Sequence, residues 1–193
     1  MTTTAANQLT IDAPTTGGLK YTDGNQNAGK VLTSDANGVA TWRYSAVNLI
    51  SGTISTATSA VPLNQNYVYT GSYIDLPPGK WNVTVTMIIN YGVDLQSGAG
   101  LWIRSTFCDS SSTFGYSTDI IGPSYRISGG LIGPAQYALL QGSITFNNTT
   151  NATKRYYYWK ENSQWAGSTN PTWNIYNFGS LHDENSIIAA PIL

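Results

Sequence analysis

Apolar residues occupy every second position in two long stretches, and this alternation is the strongest constraint on the fold. In residues 81–89, the apolar side chains Trp81, Val83, Val85 and Met87 would share one face of an extended strand. Residues 137–146 alternate in the same way. No stretch combines helical apolar spacing with freedom from Gly, Pro and β-branched runs. The sequence therefore predicts an all-β chain.

Shorter stretches also have strand character, and turn residues separate them. The further predicted strands are 67–74, 101–108, 155–159, 172–178 and 186–192. The turns between the strands are rich in Gly and Pro, as in Pro77-Pro78-Gly79, Gly98–Gly100, Gly122-Pro123, Gly129-Gly130, Gly133-Pro134 and Asn170-Pro171. About eight strands without helical crossovers favour antiparallel pairing in a β-sandwich, with a jelly roll as the first choice.

The first 45 residues differ from the rest because they hold few apolar side chains. Asn37-Gly38 is a strong hairpin signal, since both residues tolerate positive φ. Burying one apolar side chain contributes roughly 1.5–3 kcal/mol, whereas ordering one residue costs about 1.5 kcal/mol. The candidate apolar contacts are Leu9, Ile11, Leu19, Tyr21, Val31, Leu32, Val39 and Trp42. Eight such side chains cannot order the segment alone, so residues 1–45 are predicted to be a β-hairpin stem that packs on a head of residues 46–193 or on copies of itself.

Charge is scarce and evenly spread. Only 10% of residues are charged, against roughly 25% in an average domain, and the net charge is −1. Without a basic stripe or a long apolar run, nucleic-acid binding and membrane insertion are not expected. The N-terminus also lacks the features of a signal peptide, so assembly in a cytoplasm is expected.

Catalytic signals are weak, and we expect neither an enzyme nor a cofactor. The single histidine, His182, precedes Asp183 and Glu184, but adjacent side chains on an extended chain point to opposite faces. No nucleophile elbow and no metal-ligand spacing occur. Most acids lie next to turn residues, which disfavours the carboxylate pair of a glycosidase. A polar turn before the last strand is the preferred interpretation of residues 182–184.

An aromatic cluster in residues 155–178 is the candidate binding site. Trp165 lies in a polar segment, residues 160–171, that is predicted to be a loop, and it is therefore the candidate for an exposed aromatic. Tyr156, Tyr158 and Trp173 complete the candidate ligand-binding set. On a strand, Tyr156 and Tyr158 would lie on one face, and Tyr157 and Trp159 on the other. One of these two pairs is expected in the core. A packed, purely structural loop is the alternative.

Residues 18–42, GLKYTDGNQNAGKVLTSDANGVATW, resemble a module of bacteriophage tail-fibre and spike proteins and of related bacterial surface proteins. The matching positions are Asp23-Gly24, Gln26, Gly29–Asp35, Gly38 and Ala40-Thr41-Trp42. In such proteins the module usually precedes a C-terminal head. The run IDLPPGKWNVTVTM is similar to a strand in phage fibre heads and in trimeric jelly rolls of the tumour-necrosis-factor and C1q kind. The closing run ENSIIAAPIL resembles their final strand, which lies close to the threefold axis.

This resemblance implies a homotrimeric virion protein, and the function that we expect is host attachment by the head. Its partners would be its own copies, other virion proteins bound through the stem, and a host surface glycan or protein. A capsid-decorating or penton spike with a purely structural role is the alternative. A carbohydrate-binding β-sandwich module outside a virion is a weaker one.

Overall fold

The computed structural model describes residues 2–4, 8–10, 20–28, 30–44, 49–63, 67–167 and 174–192. The chain divides into an N-terminal unit, Met1–Ala46, and a head unit, Val47–Leu193. Within the described residues every regular element is a β-strand. The prediction of an all-β chain is therefore confirmed.

The described residues of the N-terminal unit form two antiparallel strand pairs. Strand β1 (Thr2–Thr4) pairs with β2 (Gln8–Thr10), and β3 (Lys30–Ser34) pairs with β4 (Ala40–Tyr44). In the turn between β3 and β4, Asp35 Oδ1 accepts hydrogen bonds from the backbone N–H groups of Asn37 (2.8 Å) and Val39 (2.9 Å). Gly38 has a φ of +80°, which favours glycine. The hairpin turn predicted at Asn37-Gly38 is confirmed.

Asp23 holds the segment before β3 against β4. Its Oδ2 accepts hydrogen bonds from Thr41 Oγ1 (2.5 Å) and from the backbone N–H of Trp42 (3.2 Å). The Trp42 indole N–H in turn donates to the carbonyl oxygen of Tyr21 at 2.8 Å. The hydrogen bond from the Thr41 hydroxyl is the largest influence on the pKa of Asp23, which falls to about 2. Several residues of the module-like sequence thus have a local structural role.

The head unit contains eleven strands in its described part. They are β5 (Ile50–Ser51), β6 (Ala60–Pro62), β7 (Val68–Leu76), β8 (Gly79–Asn90), β9 (Gly100–Cys108), β10 (Ile120–Ile121), β11 (Ile127–Ile132), β12 (Tyr137–Asn148), β13 (Lys154–Ala166), β14 (Asn174–Tyr176) and β15 (Ser186–Pro191). Strands β5-β15-β8-β12 form the first sheet, and β11-β9-β13-β7 form the second sheet. All of these pairings are antiparallel.

This order is that of a jelly roll. With the eight strands of the two sheets numbered along the chain, the first sheet runs 1-8-3-6 and the second runs 5-4-7-2. The sheets meet along one edge through a single pair between β11 and β12, Gly129 with Leu140. The prediction of an antiparallel β-sandwich is confirmed.

Aromatic and aliphatic side chains fill the space between the sheets. Phe107 of the second sheet contacts Phe146 of the first sheet edge-on, with ring centroids 5.5 Å apart, and Phe146 contacts Tyr156 at 4.6 Å. The alternating apolar residues of β8 are all buried, as predicted: Trp81, Val83, Val85, Met87 and Ile89. Burial of alternate positions on both sheets is the main source of the head's stability.

Two predicted turns and loops are strands instead. Gly129-Gly130 lies inside β11. Glycine is needed at these two positions since the strand passes closer to Leu140 and Trp102 than a side chain would allow. Strand β13 continues to Ala166, so residues 160–166 are not a loop as predicted. A bulge between Lys160 and Ser163 breaks the alternation there and conceals the strand in the sequence.

Candidate functional site

The outer face of the second sheet is partly covered by the segment 109–126. Phe114 of this segment stacks on Tyr67, with ring centroids 3.9 Å apart, and contacts Trp159 edge-on at 5.7 Å. The hydroxyl of Thr106 on β9 donates to the carbonyl oxygen of Tyr125 at 2.6 Å. These contacts lie towards the Cys108 end of β9, so this part of the face is shielded.

The other end of the same face holds an exposed tryptophan. Trp102 lies on β9 opposite Gly130 of β11 and Gln164 of β13, and 45% of its surface is exposed. A cavity of about 760 Å³ opens there. Its lining residues are Gly100, Leu101, Trp102, Gly130, Leu131, Ile132, Gln164, Trp165 and Ala166. We call this cavity the Trp102 groove.

The Trp102 ring is supported from one side by a glycine. A methyl group at Gly130 would lie 3.3 Å from Trp102 Cε3 and 3.1 Å from the carbonyl oxygen of Leu101. The indole therefore lies close against the backbone of β11. Gly100 and Ala166, which pair with each other beside the groove, add little side-chain bulk. The result is a broad aromatic surface bordered by small residues.

A positive charge lies near the groove on the same face. Arg104 follows Trp102 by two positions on β9, so both side chains project from the same side of the sheet. Nearby, Arg126 forms an ion pair with Glu161, with Nε 2.8 Å from Oε2. Burial raises the pKa of Glu161, and the charges of Arg126 and Arg104 oppose that rise. Arg126 binds this carboxylate directly and Arg104 does not, so the two arginines and Glu161 together leave about one net positive charge.

The groove lies at the end of the head opposite to the point where its described chain begins. Residue Leu49 precedes β5, whose Ile50 pairs with Ala189, and Ala189 pairs with Val83 near the start of β8. The groove is instead level with Gly100, at the start of β9. Strands β9 and β13 are antiparallel, so Gly100 at the start of β9 pairs with Ala166 at the end of β13. The start of β13, at Lys154, pairs with Leu76 at the end of β7. The groove is therefore far from the turn that leads from β7 into β8. We call the groove end of the head the distal end.

No family model, curated protein or solved structure matches this chain.

Trp165, the first choice among the predicted ligand-binding residues, is not an exposed loop residue. It lies on β13 opposite Leu101, is half-buried and packs against the hydrophobic core. Its ring stacks on Tyr91 at a centroid distance of 6.0 Å. The prediction of exposure is wrong because the strand continues through residue 165 and turns the indole inward. Trp165 forms only part of the groove lining.

Two of the other predicted residues, Tyr156 and Tyr158, do not contribute to a surface site. Tyr156 and Tyr158 are fully buried, which confirms that one alternating set of the aromatic run belongs to the core. Tyr156 donates its hydroxyl to Asp119 Oδ2 at 2.7 Å, and burial raises the pKa of both tyrosines. Neither ring is available to a ligand in this structure. Trp173 lies outside the described residues.

Other polar clusters are better explained as structure. His182 lies in a turn before β15 with Asp183 and Glu184, as predicted. Asp119 accepts hydrogen bonds from Tyr156 and Lys154 and forms an ion pair with Lys154 at 2.7 Å. Among the described residues, no group of His, Cys, Asp and Glu side chains could hold a metal ion, and no helix is long and apolar enough to cross a membrane.

Trp102 is the site residue that sequence reasoning missed. Its strand reads LWIRSTFC, in which Leu101 and Ile103 are buried and Trp102 and Arg104 take the opposite face. A tryptophan on the polar side of an alternating strand is the signal that could have revealed it.

Proposed function

We propose that this protein is the subunit of a homotrimeric fibre or spike on a phage-like virion, and that its head attaches the particle to a host surface. The N-terminal unit would join the subunit to other virion proteins. The resemblance of residues 18–42 to phage fibre modules supports the virion setting. The observation that carries the attachment role is the Trp102 groove at the distal end.

The outer face of the first sheet favours self-association. Beyond Lys80, which lies at the start of β8, the outward residues in the middle of β8, β12 and β15 alternate with buried ones and carry no charge: Asn82, Thr84, Thr86, Ile88, Leu139, Gln141, Ser143, Thr145, Ser186, Ile188 and Ala190. We call this surface the neutral face. Copies related by a threefold axis bring the same patches close together, and a face without charge avoids repulsion between them.

Exposed apolar residues add to this argument. On the neutral face, Leu139 is 55% exposed and Ile188 is 38% exposed. In the N-terminal unit, Val31, Leu32 and Val39 are exposed although they belong to a hairpin or its turn. Exposed apolar side chains of this kind suit an interface between subunits. The resemblance to trimeric heads and the absence of charge on the neutral face both favour other copies of this chain as the partner that covers it.

Attachment is supported by where the groove lies. A virion fibre that is held through its N-terminal segment must bind the host at the far end of its head. The Trp102 groove is at the distal end of the head unit, and a large exposed aromatic provides contact area that a partner can cover.

The proposal is tested by mass measurement and adsorption. The full chain is expected to sediment as a trimer, and Ile188→Lys is expected to dissociate it, because three like charges would meet at the interface. Ser111→Lys, in an exposed loop away from the neutral face, is the matched control and should remain trimeric. The purified trimer should also compete with virions for adsorption to host cells.

Two results would contradict the proposal in different ways. A wild-type monomer at micromolar concentration would exclude the trimer. A trimer that binds no host cell would leave the purely structural spike as the better interpretation.

A further inference from the structure

We infer that the Trp102 groove binds an acidic saccharide, with a sugar ring on the Trp102 indole and the sugar's carboxylate towards Arg104. This inference rests on the proposed attachment function and specifies its ligand class. It concerns a site that is separate from the neutral face, since Trp102 and Arg104 belong to the second sheet.

The exposed indole suits a sugar ring. The C–H groups on one side of a pyranose form a flat apolar patch, and a tryptophan ring presents a flat, electron-rich surface of similar size. Trp102 is 45% exposed while its other side is held against Gly130. The ring is therefore held in place before a ligand binds, which lowers the entropy cost of binding.

Polar and small residues border this ring. The Gln164 side chain, exposed beside Trp102, carries both a hydrogen-bond donor and an acceptor, as sugar hydroxyl groups require. A methyl group at Gly100 would meet no atom closer than 3.8 Å, so Gly100 leaves room for a ring to approach the sheet. The groove volume of about 760 Å³ is enough for two or three sugar units.

Charge selects the acidic class. Residues two apart on a strand are separated by roughly 6.6 Å, so Arg104 lies within the length of a disaccharide from the Trp102 ring. Arg104 forms no salt bridge among the described residues, while Arg126 is paired with Glu161. A carboxylate on the ligand would supply the missing partner. Arg favours such a group because its guanidinium can donate two parallel hydrogen bonds.

The test uses two matched pairs of probes with the full chain. Sialyllactose is compared with lactose, and tetragalacturonate with its methyl ester, by calorimetry and tryptophan fluorescence. At least one acidic probe is expected to bind about tenfold more tightly than its neutral counterpart. Its affinity is expected to fall as salt rises from roughly 0.05 M to roughly 0.3 M, because ions screen the charge of the half-buried Arg104.

Three variants assign the contacts. Trp102→Ala should abolish binding, whereas Arg104→Gln should retain weak binding and lose the preference for the acidic probe. Tyr176→Ala is the matched control, because Tyr176 is 44% exposed and lies outside the groove, and it should bind like the wild type. Thermal unfolding of each variant shows whether it is folded, and Trp102→Tyr, which keeps an aromatic ring, should retain part of the affinity.

Equal binding of acidic and neutral probes, failure of both acidic probes to bind, or unchanged binding by Trp102→Ala would each overturn the inference. Adsorption separates this outcome from failure of the proposed function. If wild type and Trp102→Ala compete equally well with virions for host cells, attachment stands and uses another surface. If neither competes, the attachment function itself is wrong.

Discussion

A methyl group on Gly129 would lie 2.7 Å from both Cα and Cβ of Leu140, where the first and second sheets join. Gly129→Ala must therefore push β11 away from β12 or strain both strands. We expect a loss of about 2 kcal/mol in the free energy of unfolding, a typical cost of overpacking. Chemical denaturation measures it.

Gly115→Ala is the matched control for this substitution. A methyl group at Gly115 would meet no atom within 4 Å, and this glycine has no positive φ. We expect its stability to equal that of the wild type or to rise slightly. Equal stability of the two alanine variants would show that the sheets do not meet as closely as the structure has them.

Asn148 connects three parts of the chain from a buried position. Its Nδ2 donates to the carbonyl oxygens of Leu76 and Ala152, each at 2.9 Å, and its Oδ1 accepts from the N–H and the hydroxyl of Thr150. Asn148→Ala removes all four hydrogen bonds. The Thr150 hydroxyl still donates to the Ala152 carbonyl oxygen, but the Leu76 carbonyl oxygen loses a buried donor, so we expect a loss of about 2–3 kcal/mol. Asn151→Ala, in the same turn but exposed, should change stability by less than about 0.5 kcal/mol. Thermal unfolding of both variants measures the difference in stability, and similar melting temperatures would contradict the prediction.

The sandwich could be predicted where the alternation was unbroken. In β8, and in β12 as far as Phe146, each inward position is apolar or small and most outward positions are polar, so local sequence and tertiary burial agree. Strand β11 could not be predicted in the same way. Its Gly129-Gly130 pair has the signature of a turn, and only the close approach of Leu140 and Trp102 explains glycine there.

The candidate site was harder to predict because exposure is a tertiary property. Trp102 is open since the segment 109–126 covers the sheet only as far as Thr106, and nothing in the local sequence specifies where that cover ends. The sequence around Trp165 predicts a loop because the bulge after Lys160 interrupts the alternation of β13. In both cases the deciding contacts come from residues distant in sequence.

The hydrogen bond between Thr41 and Asp23 should be visible in the titration of the Asp23 carboxyl group. The pKa of Asp23 is lowered to about 2, with the Thr41 hydroxyl as the largest cause. Thr41→Val removes this donor, so the pKa should rise towards the ordinary value of 3.8. Carboxyl carbon chemical shifts followed from acid to neutral pH measure it. Thr33→Val, whose hydroxyl donates to the Thr41 carbonyl instead, is the control and should leave the Asp23 pKa in place.

The stability of the head should increase as the pH rises above neutrality, because the buried Lys160 side chain then loses its charge. The residue is fully buried, with Nζ 3.4 Å from the carbonyl oxygen of Pro62, and burial lowers its pKa from 10.5 to about 8. A lysine whose folded pKa is depressed contributes stability above its unfolded pKa, and this contribution is lost as pH falls through the folded value. At pH 7 the charged side chain therefore destabilises the fold by up to about 3 kcal/mol.

Lys160→Met removes the buried charge and should raise the free energy of unfolding at pH 7 by up to that amount. The difference from the wild type should shrink to less than half by about pH 9.5, since the wild-type lysine is then neutral in the folded state. Denaturation by urea at several pH values measures it. Lys80→Met, at an exposed position on β8, is the control for the exchange of lysine for methionine and should change stability by less than about 0.5 kcal/mol at pH 7. A gap between Lys160→Met and wild type that stays constant or widens with pH would mean that Lys160 is well solvated or well paired when charged.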